Sequence, residues 1–217
     1  NVTGIRDSVL AELERLYDME FERDQFLPDR LLGLLVRHTM TLGRELMVYM
    51  TREGSVLEVA VGSIASVGLP ERHLRRNTDR LSGIRCIHTH PGGDARLSDV
   101  DEQALRLMRF DAMCAVGVSG GVATGISAAF LGEAEYGRLS IASFGPVKPG
   151  RIPQALWMHE IDLAERRVES AIREMDQVEE AEKALVISTD SDTSLDELAA
   201  LASTAGAIVV ARTLQKR

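Results

Sequence analysis

Cysteine, aromatic residues and long hydrophobic runs are all scarce in this sequence. The two cysteines, Cys86 and Cys114, lie in separate apolar segments without a C-x-x-C pair. This spacing argues against a disulfide framework and against a cysteine zinc site. No apolar run approaches the roughly 20 residues that a membrane helix needs, and the start of the chain does not resemble a signal peptide. We therefore expect a protein of the reducing cytoplasm, without a membrane partner.

Positive charge is also in short supply. The chain has 25 Lys and Arg against 33 Asp and Glu, for a formal net charge of −8 and a pI near 5.2. This balance argues against attraction of the whole surface to nucleic acid or anionic lipid. One basic segment, residues 71–80, is either a solvated loop or a contact for RNA or an acidic protein. Its arginines are Arg72, Arg75, Arg76 and Arg80.

The chain also lacks a phosphate-binding loop of the Walker A type. Gly120 and Gly125 have the right separation, but Ile126 stands where the motif requires lysine. We interpret this segment as a turn between strands. The sequence therefore predicts no GTP or ATP site of this type within the chain.

The segment H-T-H-P, followed by S-x-x-D, predicts a metal site. Residues 84–90 have the pattern of a buried strand, and residues two apart on a strand project from one face, so His88 and His90 can reach the same ion. Ser98 opens a segment with helical spacing, which places Asp101 on its first turn. Two imidazole nitrogens and one carboxylate oxygen suit Zn²⁺, with bonds of about 2.0 to 2.2 Å and a fourth position left for water.

A hydrolytic zinc site also needs a base, and Glu45 at the start of an upstream apolar strand is our candidate. Glu53 and Glu58 compete with it, but Glu53 lies in a turn-like T-R-E-G and Glu58 in the middle of a strand. Ser98 is a candidate for stabilising an oxyanion. Simpler interpretations exist, since S-x-x-D alone is an ordinary capped helix start and a histidine pair is often just packed. The conjunction of both motifs favours metal binding.

These residues resemble the motif of the JAMM or MPN metallopeptidases, which have an early Glu, then H-S/T-H-P, then S-x-x-D. The resemblance spans about residues 43–131. It implies that His88, His90 and Asp101 bind zinc, that Glu45 is the general base and that Ser98 assists the tetrahedral intermediate. The implied reaction is hydrolysis of a peptide or isopeptide bond. A domain that keeps this fold but acts only by docking is the alternative.

The pattern of elements predicts an α+β fold, with a JAMM/MPN-like mixed sheet flanked by helices, over residues 1–150. The predicted helices are 7–20, 28–41 and 98–109, and the predicted strands are 44–51, 55–63, 84–90, 112–118, 122–131 and 139–144. The segment G-P-V-K-P-G at 145–150 has the composition of a linker and marks the predicted end of the domain.

A long helix, residues 151–183, is predicted next. Its apolar residues are spaced alternately by four and three, which fits either a coiled coil or an amphipathic helix lying on its own domain. These residues are Trp157, Ile161, Ala164, Val168, Ala171, Met175 and Val178. A strand, a helix and a strand at 184–189, 194–204 and 207–212 predict an incomplete β-α-β unit. We expect everything after residue 150 to form a loosely attached arm and the protein to continue past residue 217.

The segment 184–217 resembles the opening of the N-terminal domain of HflX-family ribosome-associated GTPases. The resemblance is carried by L-D-E-L-A-A-L-A-S-T-A-G-A and by V-V-A-R-T-L-Q-K-R, and some bacterial members resemble the whole chain. It implies that this chain is the N-terminal part of such a GTPase, with a metal-binding accessory domain. The implied partner is the large ribosomal subunit, and GTP with Mg²⁺ would bind only in the missing C-terminal part.

Overall fold

The computed structural model describes residues 3–62, 80–135, 138–177 and 183–215. The chain divides into two compact units, Asn1–Arg173 and Glu174–Arg217. The helices are α1 (Asp7–Glu14), α2 (Asp29–Leu42), α3 (Asp99–Met108), α4 (Gln154–Gln177) and α5 (Asp192–Thr204). The strands are β1 (Leu46–Thr51), β2 (Val56–Val61), β3 (Ile84–Pro91), β4 (Ala112–Ser119), β5 (Val122–Glu135), β6 (Arg138–Val147), β7 (Lys183–Ser188) and β8 (Ile208–Leu214).

The first unit is built on a six-stranded mixed sheet with the order β2-β1-β3-β4-β5-β6. Strands β3 and β4 pair in parallel, and every other neighbouring pair is antiparallel. A parallel pair needs a crossover connection, and α3 lies in this one. The crossover places the first turn of α3 beyond the carboxyl end of β3. The predicted α+β class with a mixed sheet flanked by helices is confirmed.

Helices cover both faces of β3. Thr89 and Arg85 project toward one face, where the Thr89 hydroxyl contacts Thr39 of α2 and Arg85 contacts Met158 of α4. The alternate residues Cys86, His88 and His90 project toward the face that carries α3. A strand covered on both sides reads as a nearly continuous buried run, and seven of the eight residues of β3 are at least half-buried.

The ends of several elements follow from local chemistry. Helix α2 ends at Gly43, whose φ of 61° is the left-handed conformation that glycine adopts at helix ends at little cost. The predicted helix 7–20 is shorter, because α1 passes into a 3-10 turn at Arg15–Asp18. The hairpin of β5 and β6 is longer than predicted, since its strands continue as exposed pairs beyond the apolar residues. The end of the predicted strand 55–63 lies outside the described residues.

Helix α4 packs on the core of the first unit. Trp157, Ile161, Ala164 and Val168 are buried in that core, and the ring of Trp157 lies 5.1 Å from that of Phe26. The amphipathic helix, rather than a coiled coil, is therefore the correct interpretation here. The side chains of Met175 and Val178 are outside the described part.

The expectation of a loose arm from residue 151 onward is wrong for residues 151–173. The first compact unit continues past the segment 145–150 to Arg173. Strand β6 runs to Val147, and a 3-10 turn at Pro149–Arg151 then leads the chain back toward the sheet. Proline and glycine in this segment thus make a turn within a unit rather than a linker between units.

The second unit is a β-α-β unit in which β7 and β8 pair in parallel. Helix α5 begins after Ser191, whose hydroxyl accepts a hydrogen bond from the Ser194 amide at 3.2 Å. One side of the strand pair packs with α5 through Val186, Leu195 and Ala199. The predicted β-α-β arrangement is confirmed. No helix among the described residues is long and apolar enough to cross a membrane.

Candidate metal centre

The three predicted ligands come together at the carboxyl end of β3. One ligand atom each from His88, His90 and Asp101 lies within 4.8 Å of the others. The two imidazole rings share a face of β3, with centroids 4.7 Å apart, and Asp101 approaches from the first turn of α3. Ligand atoms around a tetrahedral zinc ion lie about 3.4 Å apart, so the longest separation here would have to shorten by up to about 1.4 Å. This cluster can hold a metal ion.

A capping box orients the carboxylate of Asp101. The amide and the hydroxyl of Ser98 each donate to Asp101 Oδ2 at 2.8 Å, and the Asp101 amide donates to Ser98 Oγ at 3.3 Å. Oδ2 is thereby committed to the helix start, while Oδ1 lies 3.4 Å from Nε2 of His88. The capped helix start and the metal ligand are thus compatible interpretations, since the cap aims the remaining oxygen at the cluster.

The imidazole of His90 is held by a backbone carbonyl. Its Nδ1 lies 2.8 Å from the carbonyl oxygen of Asp94. A carbonyl can only accept, so Nδ1 carries the proton and donates it. Nε2 is then left with a free lone pair, which is the usual arrangement of a metal-binding histidine.

His88 is buried without hydrogen bonds. It is 1% exposed, and neither ring nitrogen has a hydrogen bond among the described residues, since the Asp101 carboxylate lies 3.4 Å from Nε2 without the geometry of one. Leaving a buried polar atom unsatisfied costs about 1–3 kcal/mol, so native proteins rarely do it without a reason. Coordination of a metal ion by His88 would remove this cost, and the residues present therefore fit a bound ion.

Asp101 is ionised at neutral pH despite its burial. Burial alone would raise the pKa of Asp101, but the adjacent His88 imidazole and the hydrogen bonds from Ser98 outweigh it and lower the pKa to about 2. A metal ligand must be deprotonated to bind. No proton therefore has to be removed from this ligand when a metal ion binds near pH 7.

The register of β1 and β3 indicates the side of the sheet on which Glu45 lies. Met47 of β1 pairs with His88 of β3, where the pairing of these strands ends; continued by two residues, that register would place the half-buried Glu45 opposite His90, on the same face. Glu53 is instead in the turn between β1 and β2. Glu58 lies on β2, where it pairs with Tyr49, and β1 separates β2 from the histidine strand β3. The register supports the choice of Glu45, whose role as a base stays a prediction.

The hydroxyl of Ser98 has one proton and donates it to Asp101. In this structure the residue orients a ligand. Its predicted role in stabilising an oxyanion would require that hydroxyl to turn toward the cluster, and this role also stays a prediction.

The sequence analysis did not predict the hydrogen bonds of Thr89, which lies between the two histidines. The hydroxyl of Thr89 accepts from the Leu46 amide at 2.9 Å and lies 2.7 Å from the hydroxyl of Thr39 on α2. These bonds tie the ligand strand to β1 and α2 from the face opposite the cluster. The available signal was the alternation of the strand, because a threonine between two ligands must point away from them and needs a buried partner.

The cysteines do not join the cluster. Both are free and buried, and burial raises the pKa of Cys114 to about 12 and that of Cys86 well above its usual range. Cys86 lies on the same strand face as His88, two residues before it, but the group of ligand atoms found in the described part of the chain does not include it. Thiols with raised pKa values are poor metal ligands and poor nucleophiles near pH 7.

Of the four arginines in the basic segment 71–80, only Arg80 is among the described residues. Arg72, Arg75 and Arg76 lie outside the described residues. Arg80 is exposed, and its guanidinium lies 4.0 Å from the carboxylate of Glu169. Contact of this patch with RNA stays a prediction.

Comparisons with known protein families, with curated proteins and with solved structures found no match for this chain.

Proposed function

We propose that the first unit is a zinc-binding domain of the JAMM or MPN type, acting as an accessory domain of an HflX-type ribosome-associated GTPase. The observation that carries the metal site is the cluster of His88, His90 and Asp101, in which neither ring nitrogen of the buried His88 has a hydrogen bond and only the Asp101 carboxylate, 3.4 Å from Nε2, lies near one of them. A packed surface pair of histidines would not leave this cost in place.

The donor set supports zinc over Mg²⁺ and Ca²⁺, and Fe²⁺ is the other ion that commonly binds two histidines and one carboxylate. Two imidazole nitrogens with one carboxylate oxygen are typical of zinc sites, whereas Mg²⁺ and Ca²⁺ prefer oxygen ligands. The surroundings of each donor also fit, because Asp94 orients His90 and Ser98 orients Asp101. A bound zinc ion would supply a Lewis acid that activates water near neutral pH.

Elemental analysis of protein purified without a tag tests the site. We expect one zinc ion per chain in the wild type and in the control His159→Ala, which removes an exposed histidine of α4. His88→Ala should lose most of the metal, because the described residues hold no fourth ligand that replaces it. Full zinc occupancy in His88→Ala would overturn the assignment.

Hydrolysis of a peptide or isopeptide bond is the second candidate function. It is favoured by the presence of only three ligand residues in the described cluster, together with Glu45 on the same face by register. Glu45 would accept the proton of the attacking water and pass it to the leaving amine.

A matched pair of variants tests catalysis against a peptide and isopeptide library. Glu45→Gln keeps the shape of the side chain and removes the base, so zinc content should persist while turnover falls by about 10² to 10⁴. Glu58→Gln, on β2, should leave turnover unchanged. Equal turnover by Glu45→Gln and the wild type would assign the role elsewhere, and no turnover in either would favour the docking alternative.

The proposed link to a ribosome-associated GTPase is supported by the HflX-like motifs of residues 184–217 and by the parallel β-α-β unit over part of them. On this proposal GTP and Mg²⁺ bind outside the present chain, and the large ribosomal subunit is the partner of the parent protein. An antibody raised against residues 1–173 provides the test in cells of the source. GTP-dependent co-sedimentation of its antigen with large subunits is expected, and an antigen that stays free of ribosomes would contradict the proposal.

A further inference from the structure

The loop between the ligand-bearing elements rests on the end of the β4–β5 hairpin. Residues 92–97 connect β3, which carries both histidines, to α3, which carries Asp101. The Gly92 amide donates to the Val118 carbonyl at 3.1 Å, and the Thr124 hydroxyl donates to the Gly93 carbonyl at 2.6 Å. Ala95 is buried, and an added Cβ on Gly125 would lie 3.2 Å from it. Two hydrogen bonds therefore hold the loop on the hairpin, and Ala95 leaves no room for a side chain at Gly125.

A β-bulge aims Thr124 at this loop. Gly117 pairs with Gly125, but the next residue of β4, Val118, pairs with Ala123, so Thr124 is the extra residue of β5. A bulge breaks the regular alternation and redirects a side chain, and bulges are common beside active sites. Here the redirected hydroxyl reaches the backbone of Gly93.

Position 117 has room for glycine but not for a residue with a side chain. Its φ lies outside the left-handed region, so conformational freedom is not the reason for glycine here. An added Cβ would lie 2.4 Å from Thr124 Oγ1 and 2.5 Å from the Gly93 carbonyl oxygen, closer than real Cβ atoms approach. Any side chain at this position would push the loop away from the hairpin.

We propose that Gly117 and Thr124 are positioning residues of the metal centre, acting through Gly93 and Asp94 on His90. The Thr124 bond fixes the peptide between Gly93 and Asp94, and the next carbonyl, that of Asp94, accepts the Nδ1 proton of His90. The pair thus sets the tautomer and the direction of one imidazole without touching it. This role rests on the proposed metal site.

Zinc affinity, measured by competition with a chromophoric chelator, tests the role. Thr124→Val removes the hydroxyl at an exposed position, and Gly117→Ala adds the clashing carbon. Both should bind zinc about 10- to 100-fold more weakly than the wild type, the loss typical for a partner that orients a ligand. Thr124→Ser keeps the hydroxyl and should restore the affinity.

Two control variants match these changes away from the loop. Thr41→Val removes an exposed hydroxyl whose bond is to Arg37 within α2, and Gly33→Ala adds a carbon with nothing within 4 Å. Both should keep wild-type affinity. The nitrogen chemical shifts of His90 in the metal-free proteins give a readout that does not depend on metal. We expect an Nδ1-protonated ring in the wild type and a mixture of tautomers in Thr124→Val.

The outcomes separate this proposal from the metal site itself. A wild type that binds no zinc refutes the metal centre and this role with it. A wild type that binds zinc, while Thr124→Val and Gly117→Ala bind it equally tightly and keep one His90 tautomer, refutes the positioning role alone.

Discussion

Asp101 is the position at which metal binding can be separated from folding. Asp101→Asn keeps the size of the side chain and removes the charge. In the metal-free protein the amide oxygen can still accept the two bonds from Ser98, and the amide nitrogen can donate to His88 Nε2, which is 3.4 Å from Oδ1 in the wild type. The capping box therefore survives the change, while the anionic ligand does not.

The cost to the metal-free fold follows from these contacts. Replacing charge-assisted hydrogen bonds by neutral ones costs about 1 kcal/mol, and removing a negative charge from the first turn of a helix costs about 0.3–1 kcal/mol. We expect Asp101→Asn to lower the free energy of unfolding by about 1–2 kcal/mol at pH 7. Asp99→Asn, at an exposed position in the same turn, should lose only the stabilisation that a negative charge gives to the first turn of the helix.

Zinc should increase the difference in the free energy of unfolding between the wild type and Asp101→Asn. At a free concentration 100 times its dissociation constant, a ligand that binds only the folded state adds about 2.7 kcal/mol to the free energy of unfolding. We expect the wild type and Asp99→Asn to gain this amount in urea denaturation with zinc, measured against the same proteins with chelator. Asp101→Asn should gain almost nothing at the same zinc concentration. An equal gain in Asp101→Asn would refute its assignment as a ligand.

The pH dependence has a definite sign. The pKa of Asp101 is lowered from 3.8 to about 2 in the folded protein. A lowered carboxyl pKa stabilises the fold at pH values above the unfolded pKa, and this contribution is lost as the pH falls through the folded pKa. The stability difference between the wild type and Asp101→Asn should therefore be complete above about pH 5 and shrink between about pH 4 and pH 2.

Three further variants test the scaffold by urea denaturation of the metal-free protein. Thr89→Val should lower the free energy of unfolding by about 1–3 kcal/mol, because the Thr39 hydroxyl and a buried amide lose their partner; no change would mean that these bonds do not support the ligand strand. Asp111→Ala should cost about 1–3 kcal/mol, since the Gly83 amide loses its acceptor and Arg52 loses its buried carboxylate while keeping Glu165; a cost below that of a surface substitution would contradict this pairing. Trp157→Ala should cost about 3–5 kcal/mol, and a neutral result would show that α4 does not belong to the core.

The clustering of His88, His90 and Asp101 was predictable because each lies in a segment with a strong local pattern. The alternation of a buried strand places His88 and His90 on one face, and the serine of a capping box places Asp101 on the first turn of a helix. Their convergence needs only that the helix follow the strand over a short loop. The bond from the Asp94 carbonyl to His90 was not predictable, since it depends on the path of that loop.

The packing of α4 and the support of the loop depend on tertiary contacts. Spacing by four and three residues is common to a coiled-coil seam and to a helix on its own domain, and the neighbouring Phe26 and Leu27 decide between them. The extra residue at Thr124 appears only once the register of β4 and β5 is known. In the sequence, Gly117 and Gly125 are simply two glycines near a turn.

X-ray absorption at the zinc edge tests the central claim most directly. The zinc-loaded wild type should show nitrogen and oxygen neighbours at about 2.0–2.2 Å, with two imidazole rings, and His88→Ala should lose that signal. A sulfur neighbour at about 2.3 Å would mean that a cysteine is a ligand, and a shell without imidazole would mean that the ion lies elsewhere. Either result would contradict a metal centre formed by His88, His90 and Asp101.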